Sequence, residues 1–166
     1  MNKRTLKVAG VAIVAASLAF AGCGARTDAS SGASSAGKVA KIGVIAPLSG
    51  DLSAMGLGIK NSVDLAIKQA NASNAIPGWS LELAAEDDQA TPDVGKNAAT
   101  KLSSDDQVVG VVGTLNSGVA QSTIPVLDAA NIVQVSPANT NPSLTKGANY
   151  STAPARPNAN YFRTCT

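Results

Sequence analysis

The sequence contains no histidine. With it goes the side chain that most often serves as general base and as metal ligand. Aromatic residues make up 3% and charged residues 14% of the 166 positions, with no basic cluster. A nucleic-acid surface is therefore not expected. The two cysteines, Cys23 and Cys165, are too few for a disulfide framework. The longest apolar run, residues 8–20, reaches about 20 Å as a helix. A hydrocarbon core is roughly 30 Å thick, so this run is not a permanent span.

What the N-terminus does contain is directional. Lys3, Arg4 and Lys7 precede the apolar run, and no acid occurs before Asp28. That order is expected of a signal peptide, here residues 1–22. The run ends in Phe20, Ala21, Gly22 and Cys23. Small residues before a cysteine resemble the lipobox of bacterial lipoproteins, which implies acylation of Cys23. An ordinary signal peptide with an incidental cysteine is the alternative. Residues 24–37 hold no large apolar side chain. Residues 23–39 are thus expected to be a lipidated cysteine and a flexible tether. Without the three signal-peptide cations the net charge of +2 becomes −1. The basic balance therefore belongs to targeting.

The remaining 144 residues are enough for one domain with a real core. Residues 41–47 form a nearly all-apolar run stopped by Pro47, as in a buried strand. Ile59, Val63, Ala66, Ile67 and Ala70 then recur at helical spacing. Leu81, Leu83 and Ala85 mark a second strand. Thr91, Pro92 and Asp93 read as N-cap, first-turn proline and first-turn acid of a helix carrying Val94, Ala98 and Leu102. Residues 108–115 form a third strand and residues 118–130 a third helix, in which Pro125 predicts a kink or a late start. Residues 132–135 form a fourth strand. Continuous apolar strands alternating with amphipathic helices predict an α/β fold, a parallel sheet with helices on both faces. Beyond Ser136, several prolines predict an irregular stretch, and residues 161–164 read as the start of a strand without a partner. The α/β lobe is expected over residues 40–150. Residues 151–166 are expected to begin a crossing to a second lobe that this sequence does not contain. The leftover thiol of Cys165 implies a partner elsewhere or a free thiol.

Ligands of open parallel sheets bind at the carboxyl ends of the strands. Residues 48–56, 114–118 and 136–140 occupy that edge. Leu115, Asn116, Ser117 and Gly118 join a buried strand to a helix start, where free amides and a partial positive charge suit a carboxylate. Ser117 alone fits a plain helix cap equally well. Ser136, Pro137, Ala138, Asn139 and Thr140 turn backbone groups and a hydroxyl outward, although a plain proline-bounded turn is also possible. Enzyme motifs fail. Gly-x-Ser-x-Gly is broken at Leu115 and Val119, and no histidine exists to activate Ser117. Gly56 and Gly58 lack the third glycine of a dinucleotide site. Glu86, Asp87, Asp88 and Asp93 are read as a solvated strand end and helix start, not a metal site.

Residues 41–50, 113–121 and 135–145 together resemble the leucine/isoleucine/valine-binding proteins, type I periplasmic binding proteins that serve ABC importers. The segment Ser136, Pro137, Ala138, Asn139, Thr140 is the most specific part. The resemblance implies two lobes closing on an amino acid, of which this chain supplies the first. It implies that Ser117 binds the ligand carboxylate. It places the head group at the Ala138 carbonyl and at the Thr140 hydroxyl and amide. Leu115, Asn116 and Met55 would line the pocket, and the ammonium partner would come from the second lobe. It further implies a monomer on the extracytoplasmic face, delivering its ligand to a membrane permease, with neither metal nor cofactor. A sensor domain of a signalling system is the second reading, and an exported α/β enzyme the third.

Overall fold

The computed structural model describes residues 37–165. The signal peptide, Cys23 and most of the tether lie outside them. Five parallel strands run in the order β2-β1-β3-β4-β5, with ranges Trp79–Asp87, Lys38–Ala46, Val108–Gly113, Val133–Ser136 and Tyr161–Arg163 respectively. Helices α1 (Ser53–Ala72), α2 (Pro92–Ser103) and α3 (Ser117–Ala129) connect the first four, and α4 (Ser143–Lys146) precedes β5. The chain leaves β1 in one direction to β2 and then crosses back to β3. Right-handed crossovers therefore place α1 on one face and α2 and α3 on the other. The reversal between β1 and β3 opens a crevice beyond their carboxyl ends.

The core lies under α2 and α3. Ile45, Val108 and Val111 from the sheet pack with Ala98, Ala99, Leu102, Leu127 and Ile132. Fully burying one such Val, Ile or Leu side chain stabilises by about 1.5–3 kcal/mol. Adjacent strand residues point to opposite faces. Val112 and Ile42 accordingly look toward α1, where they line a groove with Val63 and Ala66. Farther along this face Val109, Val133 and Phe162 stay exposed.

Several local expectations are corrected. Residues 161–163 do have a partner, because β5 pairs in parallel with β4 through Gln134 and Tyr161. The segment after residue 150 thus adds a strand to this sheet. Helix α3 does not start late at Pro125 but runs from Ser117 through it. Thr91 does occupy the N-cap of α2, yet its hydroxyl bonds to the Gln89 carbonyl instead of capping. The acidic stretch is not simply solvated: Asp88 is fully buried.

Two glycines let the chain pass where a side chain cannot. A Cβ on Gly56 would lie 1.9 Å from the Pro47 carbonyl oxygen, so only glycine lets α1 start against the end of β1. Gly113 ends β3 at φ 139°, where its Cβ would meet the Ile45 carbonyl at 2.1 Å.

Candidate functional site

The crevice is bordered by three loops, each leaving the carboxyl end of a strand. The loop after β1 is pinned by a carboxylate: Asp87 accepts from the Leu48 amide at 2.8 Å and from the Ser49 hydroxyl. Burial pushes the Asp87 carboxyl up. The hydrogen bonds from Ser49, Gln89 and Leu48 outweigh it, and the net shift is downward. Its neighbour Asp88 is held above the ordinary value by burial, against the pull of the Ala90 amide and with help from the Asp87 charge. One oxygen of Asp88 has no hydrogen-bond partner.

After β3 the chain passes Thr114, Leu115 and Asn116 into α3. Asn116, not Ser117, takes the N-cap position, and no side chain caps the helix. The Asn116 Oδ1 is buried without a partner. Ser117 lies in the first turn, where its hydroxyl accepts from the Asn141 amide at 3.3 Å. The reading of Ser117 as a plain cap does not apply. Its oxygen instead ties this loop to the next, beside the positive end of α3.

After β4, Ser136 organises the third loop. Its hydroxyl donates to the Thr114 carbonyl at 2.8 Å and accepts from the amides of Ala138 and Asn139. Asn139 is fully buried. Thr140, by contrast, is exposed. Among the described residues, the hydrogen bonds of this loop leave the Ala138 carbonyl and both the amide and hydroxyl of Thr140 unengaged.

Next to these free groups lies an apolar groove of about 420 Å³. Met55, Ile59 and Val63 of α1 form one wall, and Val112, Leu115 and Pro137 with Ala138 form the other. The structure thus brings Met55, Leu115 and Ala138 into one groove. Ser117, in the first turn of α3, and Thr140, on the loop after β4, stand outside it, and Asn116 does not line it. Sequence reasoning missed Ile59, Val63 and Val112 as wall residues. The first two were visible as a helical stripe, but such a stripe ordinarily marks core. The described residues contain no cluster of three or more metal-type ligands. None of their helices is long and apolar enough to cross a membrane.

Comparison with known proteins agrees with this geometry. A family model described as periplasmic binding protein matches residues 39–163. Leu/Ile/Val-binding protein homolog 2 of Brucella abortus (strain 2308) is 35% identical over 124 residues, covering 75% of this chain and 31% of that protein. Leu/Ile/Val-binding protein BraC3 of Rhizobium johnstonii is 36% identical over the same length, with the same shares. Among solved structures, the branched-chain amino acid transporter substrate binding protein LivJ of Streptococcus pneumoniae, in complex with isoleucine, shares 30% identity. Its TM-score is 0.62, over 68% of this chain and 32% of that one. An ABC transporter substrate-binding protein from Desulfitobacterium hafniense, complexed with Leu, shares 28% identity at a TM-score of 0.59, over 76% and 34%.

A parallel lobe with polar loops and an apolar groove at its carboxyl edge is a frame that can hold a small solute. The chain belongs to the periplasmic binding protein family, and Leu/Ile/Val-binding proteins are among those it is similar to. It spans about a third of the length of those relatives.

Proposed function

We propose that this chain is the first lobe of an extracytoplasmic binding protein for a branched-chain or related small amino acid, which it delivers to an ABC importer. The observation that carries the reading is the adjacency of free polar groups to an apolar groove. The Ala138 carbonyl and the Thr140 amide and hydroxyl suit an amino-acid head group. The Ser117 hydroxyl at the start of α3 suits its carboxylate. The groove of about 420 Å³ beside them suits an aliphatic side chain, being within the usual range for small-ligand pockets. Met55 forms a soft wall that adapts to related side chains.

Closure by a second lobe would bury the ligand and supply the ammonium partner. Ligand would drive it by its higher affinity for the closed form. Acylation of Cys23, followed by the tether to residue 39, would hold the lobe beside its permease. The names of the relatives support the ligand class and the transport role, while the lipid anchor rests on Cys23 and its neighbours alone.

Calorimetry of the complete protein with leucine, isoleucine and valine tests the ligand reading. Saturable binding of at least one is expected, and no heat from any of the three ends that reading. Mass spectrometry of the membrane fraction tests the anchor separately, through the acyl mass on Cys23.

A further inference from the structure

We propose that Asn139 is a positioning residue: a buried strut, footed on Tyr161, that fixes Ala138 and Thr140 in binding geometry. This inference deepens the amino-acid reading and rests on it for the ligand.

Asn139 stands between the unengaged Ala138 carbonyl and the unengaged Thr140 amide and hydroxyl, yet every polar group of its own is used. Its Nδ2 donates to the Leu115 carbonyl at 3.0 Å, and its Oδ1 accepts from the Tyr161 hydroxyl at 2.9 Å. Its amide donates to the Ser136 hydroxyl at 2.9 Å, and its carbonyl accepts from the Arg163 guanidinium at 3.2 Å. The side chain thereby spans from the end of β3 to β5, under the loop that leaves β4. Leu115 and Ala138 line the same groove, so the strut sets the spacing of two of its lining residues.

The footing is rigid. Tyr161 is 1% exposed and packs with Ala120, Ile124 and Leu144. An irregular proline-bounded loop otherwise keeps conformational freedom that a ligand must remove on binding. A strut fixed before the ligand arrives removes that cost beforehand, which raises affinity without adding a ligand contact. An apolar residue at 139 would also leave the Leu115 carbonyl and Tyr161 hydroxyl unpaired in a buried place. The loop would then shift to find other partners.

The test uses the complete protein, with leucine as probe. Two variants are compared, Asn139→Ala and the milder Tyr161→Phe, which keeps the ring and removes one hydrogen bond. Asn139→Ala should speed hydrogen exchange of the hydrogen-bonded amides at 138, 139 and 141 by roughly tenfold or more and leave β1 amides unchanged. It should abolish any slowly exchanging hydroxyl proton of Tyr161 in the NMR spectrum. Leucine affinity should fall by about tenfold at a temperature where the variant is fully folded. Tyr161→Phe should act in the same direction and less strongly. Loop exchange equal to wild type in both variants would overturn the proposal. So would unchanged leucine affinity, or loop and β1 amides quickening together. If the wild-type protein binds none of leucine, isoleucine and valine, the amino-acid reading falls. The exchange data then still decide the strut.

Discussion

The Ser117 hydroxyl accepts a hydrogen bond from the Asn141 amide and so links the first turn of α3 to the loop after β4. It also lies in the first turn at the positive end of that helix, where the proposed ligand carboxylate would sit. Ser117→Ala should therefore lower stability, by about 0.5–1.5 kcal/mol for one lost neutral hydrogen bond. It should weaken leucine binding as well. Thr140 is exposed and its hydroxyl unengaged. Thr140→Ala should change stability by less than about 0.5 kcal/mol and still weaken binding. Urea titration and calorimetry on both variants separate the two effects. If neither variant loses affinity, the site assignment is wrong.

Gly56→Ala should be far worse than an ordinary surface change. Its Cβ would lie 1.9 Å from the Pro47 oxygen, which is backbone and cannot rotate away. Overpacking of this kind costs about 1–3 kcal/mol. Relief requires α1 to move off the end of β1, which displaces Met55 and Ile59 in the groove wall. Gly58→Ala, two residues on, meets nothing within 4 Å and serves as the control. Equal melting temperatures for the two variants would remove the close-approach argument.

Much of this architecture is legible in the chain because strand and helix periods differ so clearly. Residues 42–46 and 108–113 are apolar on both faces, the pattern of a parallel strand covered on both sides. The loops at 114–118 and 136–140 are legible as an edge because each follows such a strand. What stayed hidden depends on contacts distant in sequence. The strand start at Tyr161 is legible, but its pairing with β4 across an irregular stretch is not. Asn139 looks like a turn residue until Leu115 and Tyr161 surround it. Asp88 looks solvated until the turn through Gln89 and Ala90, both at positive φ, folds it inward. Ile59 and Val63 announce a helix face but not the groove they wall, because helical spacing gives a direction and not a neighbour.

Gln134 should prove the costliest polar side chain under α3. It is 1% exposed, and its Nε2 donates to the Gly113 carbonyl at 2.9 Å and to the Thr123 hydroxyl at 3.0 Å. Gln134→Leu keeps most of the volume but leaves the Gly113 carbonyl unpaired. A loss of about 1–3 kcal/mol is expected in urea. Thr123→Val should lose less, because Gln134 still reaches Gly113. The reverse order of the two variants would show that Thr123 is the essential partner.

Asp87 and Asp88 should give stability two opposed responses to pH. The Asp87 carboxyl is held below its ordinary value of 3.8, so its ionised form favours the fold. That contribution is fully present above the ordinary value and disappears as pH falls through the lowered one. Asp88 is held above 3.8, so its neutral form favours the fold. Its penalty is absent below the ordinary value, grows as pH rises toward the raised one, and is constant beyond it. On acidification from neutrality, protonation of Asp88 therefore stabilises first, and protonation of Asp87 destabilises afterwards. Asp88→Asn removes the charge and keeps an oxygen for the Ala90 amide, which Oδ1 now accepts at 2.8 Å. It should raise stability at pH 7 and flatten the rise on mild acidification. Asp87→Asn should lower stability at pH 7, release the loop at Leu48 and Ser49, and weaken the acid limb. It should not abolish that limb, because Asp105 is also held low, chiefly by its hydrogen bond from Lys41. Urea midpoints for the three proteins between pH 3 and pH 8 decide the matter. A gain in stability for Asp87→Asn, or a loss at pH 7 for Asp88→Asn, would falsify the assignment of opposite signs.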